Sequence, residues 1–255
     1  IIVPPGYNLI IEEGVNIKMA EDTYIMIMDG LLKLQGSANS PIKITSQFKD
    51  KYWKGIYVNK SSKNDVYSIL NHVEISNFTY FDNQFIQLTG GLNFINSNVI
   101  LTNNFVEKSY AEDAINLVNS NFTISNLDIK NSKSDGIDVD FGEGKISRSS
   151  FNNIEGDAID LSGSKISIDQ VNIENIGDKA ISVGENTQLE VTNANISHSR
   201  IGIASKDASN VIASNINISN CGLFDFAVYQ KKEYFSGATL KTETNSSCNK
   251  SLVQL

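Results

Sequence analysis

Five short strings, AINL (114–117), GIDV (136–139), AIDL (158–161), AISV (180–183) and GIAS (202–205), begin 22 residues apart along the chain. Each is followed by two more segments with alternating apolar positions, as in KIS then FNNI, KISI then VNI, and QLEV then ANI. Period-two alternation bounded by Asn, Ser, Gly and Asp marks half-buried strands joined by turns, and helical periodicity is absent. A repeat this short, with three strands and no segment long enough to form a crossover helix, predicts an all-β fold in which each repeat is one coil of a single-stranded, right-handed parallel β-helix. Leucine-rich repeats have a similar length, but their Leu spacing and Asn position do not occur here.

The repeat assigns roles column by column. Ile115, Ile137, Ile159, Ile181 and Ile203, with Leu117, Val139, Leu161 and Val183 beside them, form an interior aliphatic stack. The chain holds 31 asparagines, and those at junctions (Asn131, Asn152, Asn153, Asn175, Asn220) suit amide ladders between stacked turns. Before residue 90 the spacing is irregular. Residues 1–50 are expected to form the first coils and an end cap, with Trp53 packed near it, and 51–255 a β-helix continuous with that cap in one domain. After residue 225 the turn reads as 25 residues, from an alignment of AVYQK with GIASK.

Bulk charge narrows the partners. A formal charge of −8 and a pI near 4.8 repel nucleic acid and anionic membrane surfaces, so neither is expected as a partner. Apolar stretches such as YIMIM fall far short of the ~20 residues a membrane span needs. The first residues carry no basic start or small-residue cleavage site and no initiator Met, which reads as a processed form or an excised domain. Cys221 and Cys248 fit neither a disulfide scaffold nor zinc; a bridge between them and a pair of stacked thiols are equally allowed. His72 and His198 read as turn or surface residues.

Strand side chains alternate in and out, so the outward columns can be written down. One runs Asn116, Asp138, Asp160, Ser182, Ala204, Tyr229. The next runs Val118, Asp140, Ser162, Gly184, Lys206, Lys231. The preceding turn carries Asp113, Asp135, Asp157 and Lys179. A third column, Ala114, Gly136, Ala158, Ala180, Gly202, Ala227, is small throughout and predicts a shallow trough beside the charged stripe. Asp138 and Asp160 would lie one strand spacing apart, ~4.8 Å, as would Asp135 and Asp157. Such neighbours share a proton, bridge through a cation, or remain hydrated surface. For the cation, Asp135, Asp138, Asp157 and Asp160 are hard oxygen ligands that suit calcium.

Three families enter by resemblance. The alternation SDGIDVD, GDAIDLSGS, GDKAISVGE is similar to the catalytic stretch of polygalacturonases, with Asp135 and Asp157 at acid positions. One Asp stands where that family has a pair, Lys179 stands where it has His, and SRIGIASK lacks its Arg-Ile-Lys. Asp135, Asp138, Asp157 and Asp160 with Lys179 or Lys206 resemble the calcium-and-lysine inventory of pectate lyases of β-helix fold. The strings LTGGLNFINSNVILTNN, SDGIDVDFGEGKISRSSF, GDAIDLSGSKISI and AVYQKKEYFSGATL resemble the C-terminal β-helix region of bacterial CotH-like proteins, over most of residues 85–240. That resemblance implies an extracytoplasmic, secreted or cell-surface module beside an adjoining CotH-like domain.

Three functions follow. The favoured one is non-catalytic binding of a polysaccharide or an envelope protein, with or without calcium, along Asp135, Asp138, Asp140, Asp157, Asp160, Lys206, Tyr229 and Lys231. The second is a polysaccharide-active enzyme using Asp138, Asp160, Lys179 and Lys206, either as a calcium-dependent uronate lyase or epimerase with a Lys base, or as an acid–base glycoside hydrolase. The third is a rigid spacer.

Overall fold

The computed structural model describes residues 1–60, 66–82, 86–246 and 251–253, with the side chains of 244–246 outside that set. Among the described residues it is an all-β parallel solenoid with 22 strands. One sheet stacks Ile2–Val3, Ile25–Met28, Ile56–Asn59, Gly90–Ile95, Asp113–Val118, Asp135–Asp140 and Ile159–Ser162, every pair parallel. It continues through the C-terminal ends of Lys165–Gly184 and Gln188–Lys206 to Phe224–Tyr229 and Ser251–Val253. The second and third strands of each coil build two further parallel sheets in the same way. Parallel pairing begins at Ile2, so the irregularly spaced first residues already run as coils.

The aliphatic column holds the solenoid together. Ile115, Ile137, Ile159, Ile181 and Ile203 are register partners in succession and are fully buried. Each such side chain removed from water stabilises the fold by about 1.5–3 kcal/mol. Trp53 is also fully buried, with its Nε1 donating to the Ser76 carbonyl at 3.0 Å and its ring edge-on to Phe78.

Corners form where the chain enters the left-handed region, and Asn is the residue that tolerates it best after Gly. One corner carries Asn103, Asn126, Arg148, Gln170, Asn193 and Asn215, another Asn131, Asn153, Asn175, His198 and Asn220, all at positive φ. Amides link successive coils, as in Asn126 Nδ2 to Asn103 Oδ1 (2.9 Å) and Asn153 Nδ2 to Asn131 Oδ1 (3.2 Å). Asn152 is not a corner residue: it is not among the positive-φ positions, precedes the corner residue Asn153, and donates to Glu174. The two histidines occupy corners at positive φ.

Two expectations about the columns are corrected. The last full turn is 23 residues, not 25: Ile203 pairs with Phe226, Ala204 with Ala227 and Lys206 with Tyr229. Tyr229 therefore stands beside Lys206, and Lys231 lies past the strand end. Nor is the small-residue column an outer trough. Ala114, Ala158 and Ala180 are fully buried in the interior cluster, and a Cβ added at Gly136 would meet the Ala158 carbonyl oxygen at 2.5 Å and the core ring of Phe151 at 3.4 Å. The in–out alternation breaks there because the chain is turning the corner into the sheet, and only small side chains fit its inner side.

Candidate functional site

The outward face of the first sheet between Asp113 and Tyr229 gathers the carboxylates named from the sequence. Asp113, Asp135 and Asp157 enter at the corner, whereas Asp138 and Asp160 are register partners one residue past the buried isoleucines. They are not a hydrated stripe. Asp113 is 3% exposed and Asp157 5%, and Asp135, Asp138, Asp140 and Asp160 are half-buried.

Hydrogen bonds order the corner. Asp135 Oδ1 accepts from the Asp157 backbone N–H at 2.8 Å, and Asp157 Oδ1 accepts from that of Lys179 at 2.8 Å. The Lys179 ammonium lies against both oxygens of Asp157, at 3.2 and 3.3 Å, and also against Asp178. Asp160 Oδ1 accepts from the Leu161 N–H at 3.0 Å. Oxygens of Asp135, Asp157 and Asp160 lie within 4.8 Å of one another, close enough to share a cation. Asp138, the fourth ligand expected from the sequence, is outside that group.

Protonation follows from burial and crowding. Burial raises Asp113 to about 6, against the lowering effect of hydrogen bonds from Thr89 and Asn116. Burial raises Asp135 to about 7, and the neighbouring charges of Asp157, Asp160 and Asp113 add to it. Asp138 is pushed furthest, to about 9, by burial and then by Asp113, Asp140, Asp160 and Asp135. Asp140 and Asp157 are also raised, first by burial, with Lys179 opposing the rise at Asp157. Burial alone would lower Lys179, but the charges of Asp157 and Asp178 outweigh it and hold the ammonium above its usual range.

The next coils present the cations differently from the sequence-based columns. Lys206 is 7% exposed, its Nζ donates to Ser182 Oγ at 2.7 Å, and burial lowers its pKa. Tyr229 stands half-buried beside it. Lys231 is exposed and enters a turn that Asp207 Oδ1 holds by accepting from the N–H groups of Lys231 and Lys232, at 2.6 and 2.8 Å. The Lys232 ammonium pairs with Glu185 across that turn.

The sequence columns missed Asp178, one residue outside the frame, and the Lys232–Glu185 pair, whose partners lie 47 residues apart. They also missed a buried orphan. Asn116 donates to Thr89 and Asp113, while its Oδ1, sealed from solvent, has no hydrogen-bond donor. Asn116 is the register partner of Asp138. Cys221 is buried beside Ser199, and the proposed partner Cys248 lies outside the described residues.

Coils stacked in parallel, strand on strand, define a parallel β-helix. A family model described as a right handed beta helix region matches residues 136–251. No curated protein matches the chain. Among solved structures, the catalytic domain of a GH87 alpha-1,3-glucanase variant in complex with nigerose is similar at 11% identity and a TM-score of 0.49, over 97% of this chain and 60% of that one. An alginate lyase from Paenibacillus sp. str. FPU-7 gives 11% identity and a TM-score of 0.44, over 94% and 91% of the two chains. A rhamnogalacturonan lyase gives 12% and 0.36, over 99% and 80%. The chain thus spans about three fifths of the glucanase domain.

Proposed function

We propose that this chain is a polysaccharide-active β-helix that cleaves an uncharged glycan by acid–base hydrolysis, with Asp138 as the acid. The observation that carries it is the placing of Asp138, half-buried on one sheet face among Asp113, Asp135, Asp140 and Asp160. Burial and four nearby carboxylates keep its proton to about pH 9, and its register partner Asn116 has a buried acceptor in need of a donor. A carboxyl kept neutral near pH 7 beside other carboxylates is the division of labour that glycoside hydrolysis requires. In the step proposed, Asp138 transfers its proton to the glycosidic oxygen as the bond to the anomeric carbon breaks. Asp160, one strand spacing away on the same face, bonds to that carbon as the leaving group departs; water, giving a proton back to Asp138, then displaces Asp160 and restores both groups.

Charge selects the substrate. Asp113, Asp135, Asp140, Asp157 and Asp160 crowd this face around the neutral Asp138, Lys179 is committed to Asp157 and Asp178, and Lys232 is committed to Glu185. A polyuronate would meet carboxylates with little free positive charge to receive it, so the uronate lyase and epimerase are less well supported than the hydrolase. Lys206, hydrogen-bonded to Ser182, sets one end of the strip rather than serving as a free cation on its surface. An extracytoplasmic or cell-surface location and an adjoining CotH-like domain belong to the same proposal and rest on the string resemblance over residues 85–240.

The test is reducing-end release from neutral polysaccharides and from polyuronates, by wild type and by Asp138→Asn. The expected result is release from a neutral polymer, reduced 10²–10⁴-fold in the variant, the usual worth of a general acid. Unsaturated ends from polyuronate would instead establish the lyase, and calorimetric glycan binding without turnover the non-catalytic module. The close oxygens of Asp135, Asp157 and Asp160 favour a second reading in which calcium bridges them. Calcium would compete there with the Lys179 ammonium for Asp157. A calorimetric titration with no heat in wild type, or heat that Asp157→Asn/Asp160→Asn leaves unchanged, retires that reading.

A further inference from the structure

Beyond the acidic strip, at the C-terminal edge of the same sheet, one corner carries an exposed aromatic ring. In successive coils this corner is occupied by Asn96, Asn119, Phe141, Gly163, Glu185 and Asp207, all at positive φ. Asn119 Nδ2 donates to Asn96 Oδ1 at 2.6 Å, so an amide ladder starts along the corner and stops at Phe141. An aromatic residue in the left-handed region is disfavoured, and Asn or Gly would relieve the strain. Phe141 is also 63% exposed, so the strain is not offset by full burial of the ring. Its ring is nevertheless held in place. It lies over Gly163 of the next coil, where an added Cβ would fall 2.6 and 2.7 Å from ring carbons, and the absence of a side chain at 163 is what makes room for it.

Phe141 directly follows Asp140, so this seated, open ring adjoins the carboxylate strip. What sets Phe141 apart from the other corner residues is its ring, exposed yet seated over Gly163 beside the strip. A fixed aromatic face offers one sugar ring an apolar surface while leaving its hydroxyls in water.

We propose that Phe141 is a stacking platform for one uncharged pyranose unit of the glycan, fixing where the chain crosses the strip. This rests on the acid–base reading above and adds to it a binding position. The role differs from that of the acids: Phe141 touches sugar and takes no part in proton transfer.

The decisive variant is Phe141→Asn, because Asn suits the corner and continues the amide ladder. It is expected to unfold at the same or a higher temperature than wild type while losing glycan affinity, whereas Phe141→Tyr keeps both. Affinity electrophoresis through gels cast with soluble neutral probes, namely a β-glucan, an α-glucan, a xylan and a galactomannan, reads the effect. Retardation of wild type by at least one probe, with apparent Kd raised about three- to tenfold in Phe141→Asn, matches the usual worth of one aromatic stack. Turnover of that probe should show the loss in KM and not in kcat. Equal retardation of wild type and Phe141→Asn overturns the platform and leaves the acid–base reading standing. Retardation of wild type by none of the four probes overturns the neutral-glycan reading, and the platform with it.

Discussion

At the scale of single residues, the side chain that decides most is Asp138. Its carboxyl has to be neutral to act as an acid, and Asp138→Asn keeps the size and neutrality of the side chain while removing the transferable proton. The variant should therefore fold as wild type does and lose activity. For wild type, kcat/KM should fall on the alkaline side near pH 9, where Asp138 gives up its proton. A pH–rate profile with no alkaline limb up to pH 10 would remove Asp138 from the role of acid. The acids themselves were legible as a pattern, because Asp135, Asp138, Asp157 and Asp160 recur in one frame. What makes them different from one another was not, since burial and the orphan acceptor on Asn116 arise only when residues 22 positions apart are stacked. Lys206 shows the same limit: the sequence places it on an outward column, while folding buries it against Ser182.

At the scale of the coil, strands were readable because alternation is a local signal, and corners were readable where Asn marked them. Offsets between coils were less secure. Shifts of 23 and 25 residues have the same parity, so both leave apolar residues facing inward, and alternation cannot choose between them. The pairing of Ile203 with Phe226 chooses 23 and moves Tyr229 next to Lys206. The small column failed for a related reason, since a period of two holds along a strand but not around a bend. The corners allow a direct test at Asn131, which sits at φ 57° and accepts from Asn153. Asn131→Val places a β-branched residue in the left-handed region and should cost about 1–2 kcal/mol. Asn131→Gly should cost less, because Gly adopts that conformation freely and only the amide link is lost. Urea unfolding of the two variants checks the order, and a Gly variant weaker than the Val variant would refute the account of the corner.

At the scale of the whole solenoid, the aliphatic stack and the carboxylate strip press on stability from opposite sides of one sheet. Ile159→Ala, in the middle of the stack, should cost about 2–5 kcal/mol, because coils above and below prevent the cavity from closing. The strip acts through pH. In an unfolded chain the aspartates ionise near ~3.9, whereas in the fold Asp113, Asp135 and Asp138 hold their protons to about 6, 7 and 9. Below pH ~4 both states are protonated and the fold has the full benefit. As pH rises, the unfolded chain releases these protons first, so stability falls with pH until each folded pKa is passed. The Tm of wild type should therefore decline between about pH 5 and pH 9. Above about pH 7 the sites at Asp113 and Asp135 have largely ionised in the fold as well, and Asp138 carries most of the remaining slope. Asp138→Asn should flatten the curve between pH 7 and pH 9 in particular, and raise Tm there relative to wild type. Thermal melts of both proteins across that range separate this from charge effects elsewhere. A wild-type slope that the variant reproduces would show that the proton on Asp138 is not coupled to folding, and would take with it the argument that burial keeps this acid ready for transfer.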